Sequence, residues 1–264
     1  MSGTGAVFDD LASALRAERP MALATVVSGP GVGGALLIEP GREPRGTLGN
    51  PDLDRVVGRD AEAELQAGTS GVRHYGPRGE ARQDEVSVFI ESFAPPPQML
   101  IFGAVDFTAA LVRLAKVLGY RVTVCDAREV FATLARFPFA DEVVVDWPNR
   151  FLDRVGDELG PRDAVCVLTH DHKFDVPAVV AALRTDVGYL GAMGSRRTHA
   201  DRVARLRVEG VTDEDLARLM APIGLDIGAR TPEETAVAVC AEIIALRTGR
   251  PAPSLQGGEG PIHR

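Results

Sequence analysis

The sequence predicts an α/β protein in which a smaller N-terminal α+β domain precedes a C-terminal Rossmann-like domain with a doubly wound parallel sheet. Residues 98–128 read as strand, glycine turn, amphipathic helix and second strand. Ala164 to Leu168 is an uninterrupted apolar run, which is typical of a parallel strand covered on both faces. From residue 98 onward strands alternate with helices, and this alternation indicates a doubly wound sheet.

The N-terminal domain is assigned to residues 1–94. Its predicted elements are a helix at Val7–Glu18, strands at Met21–Ser28 and Ala35–Glu39, a helix from Pro51 to about Gln66, and strands at Val72–Tyr75 and Val86–Phe93. We expect Asn50 to cap the second helix, because its side chain can accept hydrogen bonds from the first free amides. Three consecutive prolines at 95–97 end the domain, since they cannot continue a helix or join a sheet interior.

The C-terminal domain begins with the front half of a dinucleotide-binding unit. Strand Met99–Phe102 leads into Gly103, a helix follows, and the second strand, Val122–Cys125, ends at Asp126. In such units the glycine turn and helix N-terminus bind phosphate, and the acid about 20 residues on binds a ribose. Only the first fingerprint glycine is present, and Asp106 adds negative charge at the phosphate position. A dinucleotide site and a plain βαβ unit of the core are therefore both open interpretations.

Three further strands and four helices complete this domain, which is assigned to residues 98–249. The strands are predicted at Val143–Val145, Ala164–Leu168 and Val187–Leu190, and the helices at Pro177–Leu183, from Ser195 to about Glu209, from Thr212 onward, and from Thr231 to Arg247. Residues 250–264 are rich in Pro and Gly and are expected to form a flexible tail. Because ligands of doubly wound sheets bind beyond the carboxyl ends of the strands, the loops after Leu168, after Leu190 and around Gly224 are the site candidates.

The loop after Leu168 reads Thr169-His170-Asp171-His172-Lys173-Phe174-Asp175. The imidazoles of His170 and His172 and the carboxylate of Asp175 are groups that suit zinc or other transition ions. The same groups can donate and accept hydrogen bonds with a polar ligand, or form an ordinary polar loop at a strand end. All three interpretations are open from the sequence.

The loop after Leu190 reads Gly191-Ala192-Met193-Gly194-Ser195-Arg196-Arg197. Ser195 can cap the following helix, and backbone amides, a helix N-terminus and two guanidinium groups together favour an anion such as a phosphate. Segment 221–230 bends similarly at Gly224 and Gly228 in front of the last helix. The alternatives are an exposed basic turn for the first loop and an ordinary glycine connection for the second.

Composition excludes several functional classes. The chain has 264 residues and a net charge of -8, so it lacks the basic surface expected of a general nucleic-acid binder. Cys125, Cys166 and Cys240 lie in apolar runs without disulfide or zinc spacing, which favours a reducing compartment. No apolar run reaches the length of a membrane span, and no signal-peptide pattern is evident. We therefore expect a cytoplasmic protein without nucleic-acid or membrane partners.

The second domain resembles the C-terminal domain of the XdhC/CoxI family. The resemblance rests on THDHKFD, YLGAMGSRR and APIGLDIGARTPEETAVAVCAEIIA, covers about Gln98 to Arg247, and includes the family's Asp-x-Arg at Asp126-Ala127-Arg128. LATVVSG, ALLIEPG and GTLGNPDLD resemble the family's first domain. Where that domain usually has Gly-Gly-Cys-x-Glu, this sequence has Asp52 in place of the cysteine and Asp54 in place of the glutamate.

Proteins of this family are accessory factors for the maturation of molybdenum hydroxylases such as xanthine dehydrogenase. The resemblance implies that the chain binds molybdenum cofactor, as molybdopterin or its nucleotide form, and helps its sulfuration and insertion into a hydroxylase of the xanthine dehydrogenase or CO dehydrogenase type. It also implies a cysteine desulfurase and the large subunit of a molybdenum hydroxylase as partners, and a homodimer. We expect a carrier that catalyses no turnover. The expected cofactor contacts are Gly103, Asp126, Arg128, Thr169, His170, Asp171, His172, Asp175, Gly191, Gly194, Ser195, Arg196, Arg197, Gly224, Asp226 and Gly228.

Two other functions are open alternatives. The Rossmann unit and Asp126 favour an NAD(P)-binding oxidoreductase, although the incomplete glycine pattern opposes it. The replacement of the family cysteine by Asp52 favours a non-catalytic scaffold that recruits a partner enzyme.

Overall fold

The chain folds into two compact units, each with its own sheet. The computed structural model describes residues 3–17, 19–81, 83–169 and 171–257. The chain divides between Pro95 and Pro96. The first unit has an antiparallel sheet and the second a parallel one, so the α/β class predicted from the sequence is confirmed.

The first unit is a five-stranded sheet between two helices. In spatial order its strands are β3 (Arg45–Thr47), β2 (Ala35–Ile38), β1 (Met21–Ser28), β5 (Val86–Phe93) and β4 (Gly71–Tyr75). Helix α1 (Gly3–Arg16) packs against Met21 and Leu23, and helix α2 (Pro51–Ala67) against Ala22 and Ala24. Because side chains alternate along a strand, the two helices cover opposite faces of the sheet.

The second unit is built on six parallel strands. Their spatial order is β8 (Glu142–Val144), β7 (Arg121–Cys125), β6 (Gln98–Phe102), β9 (Ala164–Val167), β10 (Tyr189–Ala192) and β11 (Leu219–Met220). Numbered within the unit, this is the order 3-2-1-4-5-6 of doubly wound dinucleotide-binding sheets. The order reverses between β6 and β9, and ligands of such sheets bind in the crevice at that switch point.

Helices cover both faces of the parallel sheet. Helices α3 (Asp106–Val117) and α8 (Pro232–Thr248) pack over one face, and α4 (Pro148–Val155), α5 (His172–Leu183) and α6 (Arg196–Val208) over the other. The short α7 (Asp213–Ala217) leads into β11. Among the helices that the structure describes, none combines the length and hydropathy needed to cross a membrane.

Helix α5 begins five residues before the predicted start at Pro177, which lies inside the helix. Asp171 is the N-cap, and its Oδ1 accepts a hydrogen bond of 3.1 Å from the Lys173 amide. Half of the polar loop predicted after β9 is therefore the first turn of a helix. The earlier start matters because the helix holds His172 and Asp175 in a defined backbone geometry.

Strand β10 lies two residues later than the predicted Val187–Leu190, so Gly191 belongs to the strand and not to the loop. The sequence pattern also missed β3, α4 and β11, which are three, eight and two residues long. Such short elements contain too few residues for a hydrophobic period to be recognised.

Candidate functional site

The turns that follow β6 and β9 touch at the switch point. Gly103 has a φ of +116°, and a Cβ built on it would lie 2.9 Å from both the backbone nitrogen and Cγ2 of Thr169. That distance is shorter than a van der Waals contact, so only glycine permits this approach. The main chain on either side is held by strand-like bonds, from the Gly103 amide to the Cys125 carbonyl at 2.9 Å and from the Leu168 amide to the Phe102 carbonyl at 2.8 Å.

Asp126 stands at the end of β7 and is only 3% exposed. Its Oδ2 accepts hydrogen bonds from the Ala104 amide at 2.7 Å and from Nη2 of Arg128 at 2.8 Å, while Oδ1 accepts from the amide and Nε of Arg128, both at 2.9 Å. Burial alone would raise the pKa of this carboxyl, but the bonds from Arg128 and Ala104 lower it below its ordinary value. The acid predicted to bind a ribose is therefore bonded to its own chain.

Phe131 and Arg136 lie beside the hydrogen-bond partners of this acid, Arg128 and Ala104. The guanidinium carbons of Arg128 and Arg136 lie 4.6 and 5.4 Å from the ring centre of Phe131, and Nη1 of Arg136 donates to the Ala104 carbonyl at 3.1 Å. The pKa of Arg128 is raised, chiefly by its hydrogen bonds to Asp126 and in part by the charge of Asp171.

The sequence did not single out Arg136 or Phe131. They lie in the connection 126–141, which has no helix or strand in the structure. An arginine and two phenylalanines within the nine positions after Asp126-x-Arg128 were the available signal.

The first turn of α5 holds the side chains predicted as polar ligands. Asp171 caps the helix and pairs with Nζ of Lys173 at 3.2 Å, and the Nδ1 atom of His172 is buried without a hydrogen-bond partner among the described residues. The pKa of Asp171 is lowered, first by the Lys173 amide. His170, the other predicted imidazole, lies outside the described residues. No cluster of three or more His, Cys, Asp or Glu side chains that could hold a metal is found in the described ranges.

Asp175 and Arg202 form a fully buried ion pair, both 0% exposed. Nη2 of Arg202 donates to Oδ2 of Asp175 at 3.0 Å and to the Met193 carbonyl at 2.6 Å. The hydroxyl of Thr169 donates to Oδ1 of Asp175. Arg202 was not among the predicted site residues. Its signal in the sequence was its spacing from Leu206, four positions on, which places both residues on one face of the helix. In the structure these two are the buried residues of α6.

The predicted anion loop lies between β10 and α6. Ser195 caps the helix as predicted, accepting a bond of 3.1 Å from the Thr198 amide, and Arg196 and Arg197 are exposed in the first turn. Gly194 has a φ of +149°. A side chain on Gly191 would lie 2.6 Å from Ile223 and 2.7 Å from the Tyr189 hydroxyl, so this glycine makes room for packing within the strand.

The glycine-rich segment 221–230 is anchored by Glu242 of α8. Oε2 of Glu242 accepts bonds from the Tyr189 hydroxyl at 2.6 Å and from the Gly224 amide at 2.9 Å. Asp226 and Gly228 are exposed farther along the segment. The structure thus places Gly224 against the protein interior and leaves the other two accessible.

No cysteine thiol is presented at the site. Cys125, Cys166 and Cys240 are all buried and free of disulfides. Burial raises the pKa of Cys125 to about 12 and that of Cys240 to about 11, and it raises the pKa of Cys166 as well. These thiols stay protonated, so they are poor metal ligands.

In the first unit, the positions of the family cysteine and glutamate lie at the start of α2. Asn50 caps the helix through bonds of 2.9 and 3.4 Å from the amides of Asp52 and Leu53. Asp54 accepts bonds from the Leu48 amide at 2.7 Å and from the Thr47 hydroxyl at 2.8 Å. Asp54 therefore holds the preceding loop against the helix.

Comparisons with known proteins agree with this architecture. The model described as the XdhC Rossmann domain matches residues 99–243, and the model described as the XdhC and CoxI family matches residues 14–76. A crystal structure described as a xanthine dehydrogenase from Bacillus halodurans has the same fold, with a TM-score of 0.55 and 21% identity over 97% of this chain and 98% of that one.

Two curated relatives are similar over part of their length. A protein of Bacillus subtilis strain 168, named as a probable subunit of xanthine dehydrogenase, is 34% identical over 161 residues, which is 61% of this chain and 46% of that protein. The molybdenum cofactor insertion chaperone PaoD of Escherichia coli K12 is 28% identical over 159 residues, which is 60% of this chain and 43% of that protein. The chain spans about half the length of the curated relatives it matches. Because the Rossmann-domain model covers more than half of the chain, this protein belongs to the XdhC and CoxI family.

Proposed function

We propose that the protein carries molybdenum cofactor as cargo, holds it at the carboxyl edge of the parallel sheet, and helps its sulfuration and insertion into a molybdenum hydroxylase. The observation that carries this proposal is the convergence of loops at the switch point. Gly103 and Thr169 touch there, and the Ala104 amide bonds to Asp126 at the end of β7, in a chain related to a molybdenum cofactor insertion chaperone. Sheets with this strand order bind their ligands at that position.

The groups at this edge fit the phosphate end of such a cargo. Arg128 is 45% exposed, and Arg196 and Arg197 lie exposed at the N-terminus of α6, where free amides and the helix dipole also favour an anion. Two arginines in the first turn oppose the dipole unless an anion balances them. The buried, protonated cysteines supply no thiolate, so retention of the cargo would depend on hydrogen bonds and charge.

Whether the cargo has a nucleotide extension decides whether a ribose would reach Asp126. A nucleotide extension would bring a ribose to the end of β7, but the oxygens of Asp126 already accept four hydrogen bonds. A contact between the cargo and the exposed part of the Arg128 side chain does not require any of these hydrogen bonds to break. We therefore propose Arg128, not Asp126, as the residue of this pair that touches the cargo.

A carrier of this kind needs a donor and a recipient. The recipient that we propose is the large subunit of a molybdenum hydroxylase, and the proposed source of sulfur is a cysteine desulfurase. A homodimer is proposed on the family resemblance alone.

Co-purification tests the carrier function. The protein should be expressed in cells that make molybdenum cofactor, and the pure protein assayed for pterin and molybdenum together. We expect both in comparable amounts near one per chain. If both are absent, and if the apo-protein also fails to take up cofactor released from a purified molybdoenzyme, the proposal fails and a partner-recruiting scaffold becomes the better explanation.

The strand order 3-2-1-4-5-6 and the acid at the end of β7 favour a second candidate, an NAD(P)-binding oxidoreductase. Against it, Asp126 is engaged by Arg128, and the side chain of Asp106, which is 92% exposed, opens α3 where a pyrophosphate would lie. Trp147 is the single tryptophan, and its ring centre lies 4.9 Å from that of Phe174 in the candidate site. An NADH- or NADPH-dependent change in its fluorescence would support the oxidoreductase, and no change at saturating cofactor would oppose it.

A further inference from the structure

We propose that Asp175 and Arg202 are a buried positioning pair that holds the turns after β9 and β10 in one relative arrangement and so sets the affinity of the site for its cargo. The part about affinity rests on the proposed function. The part about positioning depends only on the contacts of the two side chains.

A continuous chain of contacts joins the two turns through this pair. The hydroxyl of Thr169, directly after β9, donates to one oxygen of Asp175. The other oxygen accepts from Nη2 of Arg202 at 3.0 Å, and the same nitrogen donates to the carbonyl of Met193, directly after β10, at 2.6 Å. Because Thr169, Asp175 and Arg202 are at most 5% exposed, water does not compete for these bonds.

A contribution to the stability of the fold does not explain why Arg202 is buried. Its Nε and Nη1 atoms are buried without hydrogen-bond partners among the described residues, and unsatisfied buried donors destabilise a fold. Buried ion pairs can often be replaced by apolar side chains without loss of stability. What an apolar pair lacks is a donor such as Nη2, which here holds the carboxylate of Asp175 and the carbonyl of Met193 at once.

The pair lies beneath the loop predicted to bind an anion. A Cβ built on Gly194 would lie 3.6 Å from Nη2 of Arg202 and 3.2 Å from Thr198, so the loop backbone runs close over the guanidinium. Arg196 and Arg197 start the same helix but are exposed, and they are available to touch a ligand. Arg202 acts through Met193 and Asp175, and it is therefore a positioning residue.

The double variant Arg202→Met/Asp175→Leu tests this inference. Both charges leave together, so neither is stranded in the interior. The matched control is Arg207→Met/Asp213→Leu, which removes an exposed pair of 2.9 Å between the other end of the same helix and the start of α7. Three quantities would be measured: the Kd for molybdopterin cofactor released from a purified molybdoenzyme, the Tm, and acrylamide quenching of Trp147, whose ring contacts Phe174 beside Asp175.

We expect the double variant to stay folded and to bind the cofactor about tenfold more weakly, as is typical of coupling between sites. Quenching of Trp147, which is 38% exposed in the wild type, should increase further. The control should change none of these. An unchanged Kd in a folded variant, or equal weakening in the control, would overturn the inference. If the double variant does not fold, Arg202→Lys replaces it, since lysine keeps the charge but carries it on a flexible stem that does not fix the direction of its donors. An unchanged Kd in that variant would be equally decisive.

Failure of the proposed function is distinguishable from failure of this inference. If the wild-type protein binds no cofactor, the carrier function is wrong, yet Trp147 quenching and amide hydrogen exchange at residues 193–195 still report on the two turns. Faster exchange and greater quenching in the double variant, without change in the control, would support the positioning pair. Unchanged values of both would refute it.

Discussion

Arg128 donates its backbone amide, Nε and Nη2 to the carboxylate of Asp126 at 2.8 to 2.9 Å. The amide of Ala104 adds a fourth bond at 2.7 Å, so the acid ties the end of β7 to the turn after β6. In dinucleotide-binding sheets an acid at this position accepts bonds from a ribose. Here a ribose would have to displace a guanidinium that is only two residues away and already in place.

Replacement of Asp126 by Asn should destabilise the second unit. Asn keeps the shape of the side chain but removes the charge and one acceptor, so the free energy of unfolding at pH 7 should fall by about 2 kcal/mol. Urea unfolding followed by circular dichroism measures this change. Asp171→Asn is the matched control, because Asn caps a helix as well as Asp does and the free energy should be almost unchanged.

The same carboxyl should give a pH-dependent contribution to stability. Burial raises the pKa of Asp126, and the bonds from Arg128 and Ala104 outweigh burial and lower it below its ordinary value. A carboxyl with a lowered folded pKa stabilises the fold above its unfolded pKa, and that contribution is lost as the pH falls through the folded pKa. The difference between wild type and Asp126→Asn should be full at pH 7 and shrink below about pH 4. A difference that stayed constant to about pH 3 would contradict this assignment.

Replacement of Gly103 by Ala should lower the free energy of unfolding more than an ordinary glycine substitution at positive φ does. The new Cβ would meet the backbone of Thr169 at 2.9 Å, which cannot move without shifting the turn after β9. We expect a loss of about 3 kcal/mol, from strain at positive φ together with this clash.

Gly119→Ala provides the comparison for Gly103→Ala. Gly119 also has a positive φ, of +81°, but a Cβ there would have no atom within 4 Å. The free energy of unfolding of Gly119→Ala should therefore fall by only about 1 kcal/mol, from backbone strain. Equal losses in the two variants, measured by urea unfolding, would argue that the contact between the two turns does not contribute.

Replacement of Arg196 and Arg197 together by Gln should weaken cofactor binding without changing stability. Both side chains are exposed, so the free energy of unfolding should stay within about 0.5 kcal/mol of wild type. The Kd for molybdopterin cofactor should rise, and the dependence of binding on salt should flatten, because two cations leave the site. Arg205→Gln/Arg207→Gln on the same helix is the control, and an equal effect there would remove these residues from the site.

The thiols should be unreactive in the native protein. Burial keeps Cys125, Cys166 and Cys240 protonated, with the pKa of Cys125 at about 12 and that of Cys240 at about 11. A thiol reagent such as Ellman's should label none of them at pH 8 in native protein and all of them in denaturant. Rapid native labelling of any one thiol would show that a cysteine is accessible as a ligand.

Local structure followed from the sequence with few exceptions. The caps predicted at Asn50 and Ser195 are confirmed, and Thr212 and Thr231 cap the helices predicted to start there. These features are local, because a cap depends on a side chain and amides two or three residues away. The predicted start of α5 was wrong. Pro177 favoured a helix start at that position, but the helix is capped by Asp171 and starts five residues earlier. The cofactor contacts predicted in the three loops stay predictions.

The sequence by itself determined the fold class, the capped helices and the loops that end the parallel strands, because hydrophobic periods, caps and glycine turns act over a few neighbouring residues. Only the tertiary structure decided that Asp126 bonds to Ala104 and that Gly103 meets Thr169. It also decided that Arg202, in a helix rich in arginine, is the one that turns inward to Asp175. These contacts join residues from 22 to 66 positions apart, and their partners are chosen by strand order and helix rotation, which depend on packing of the whole unit.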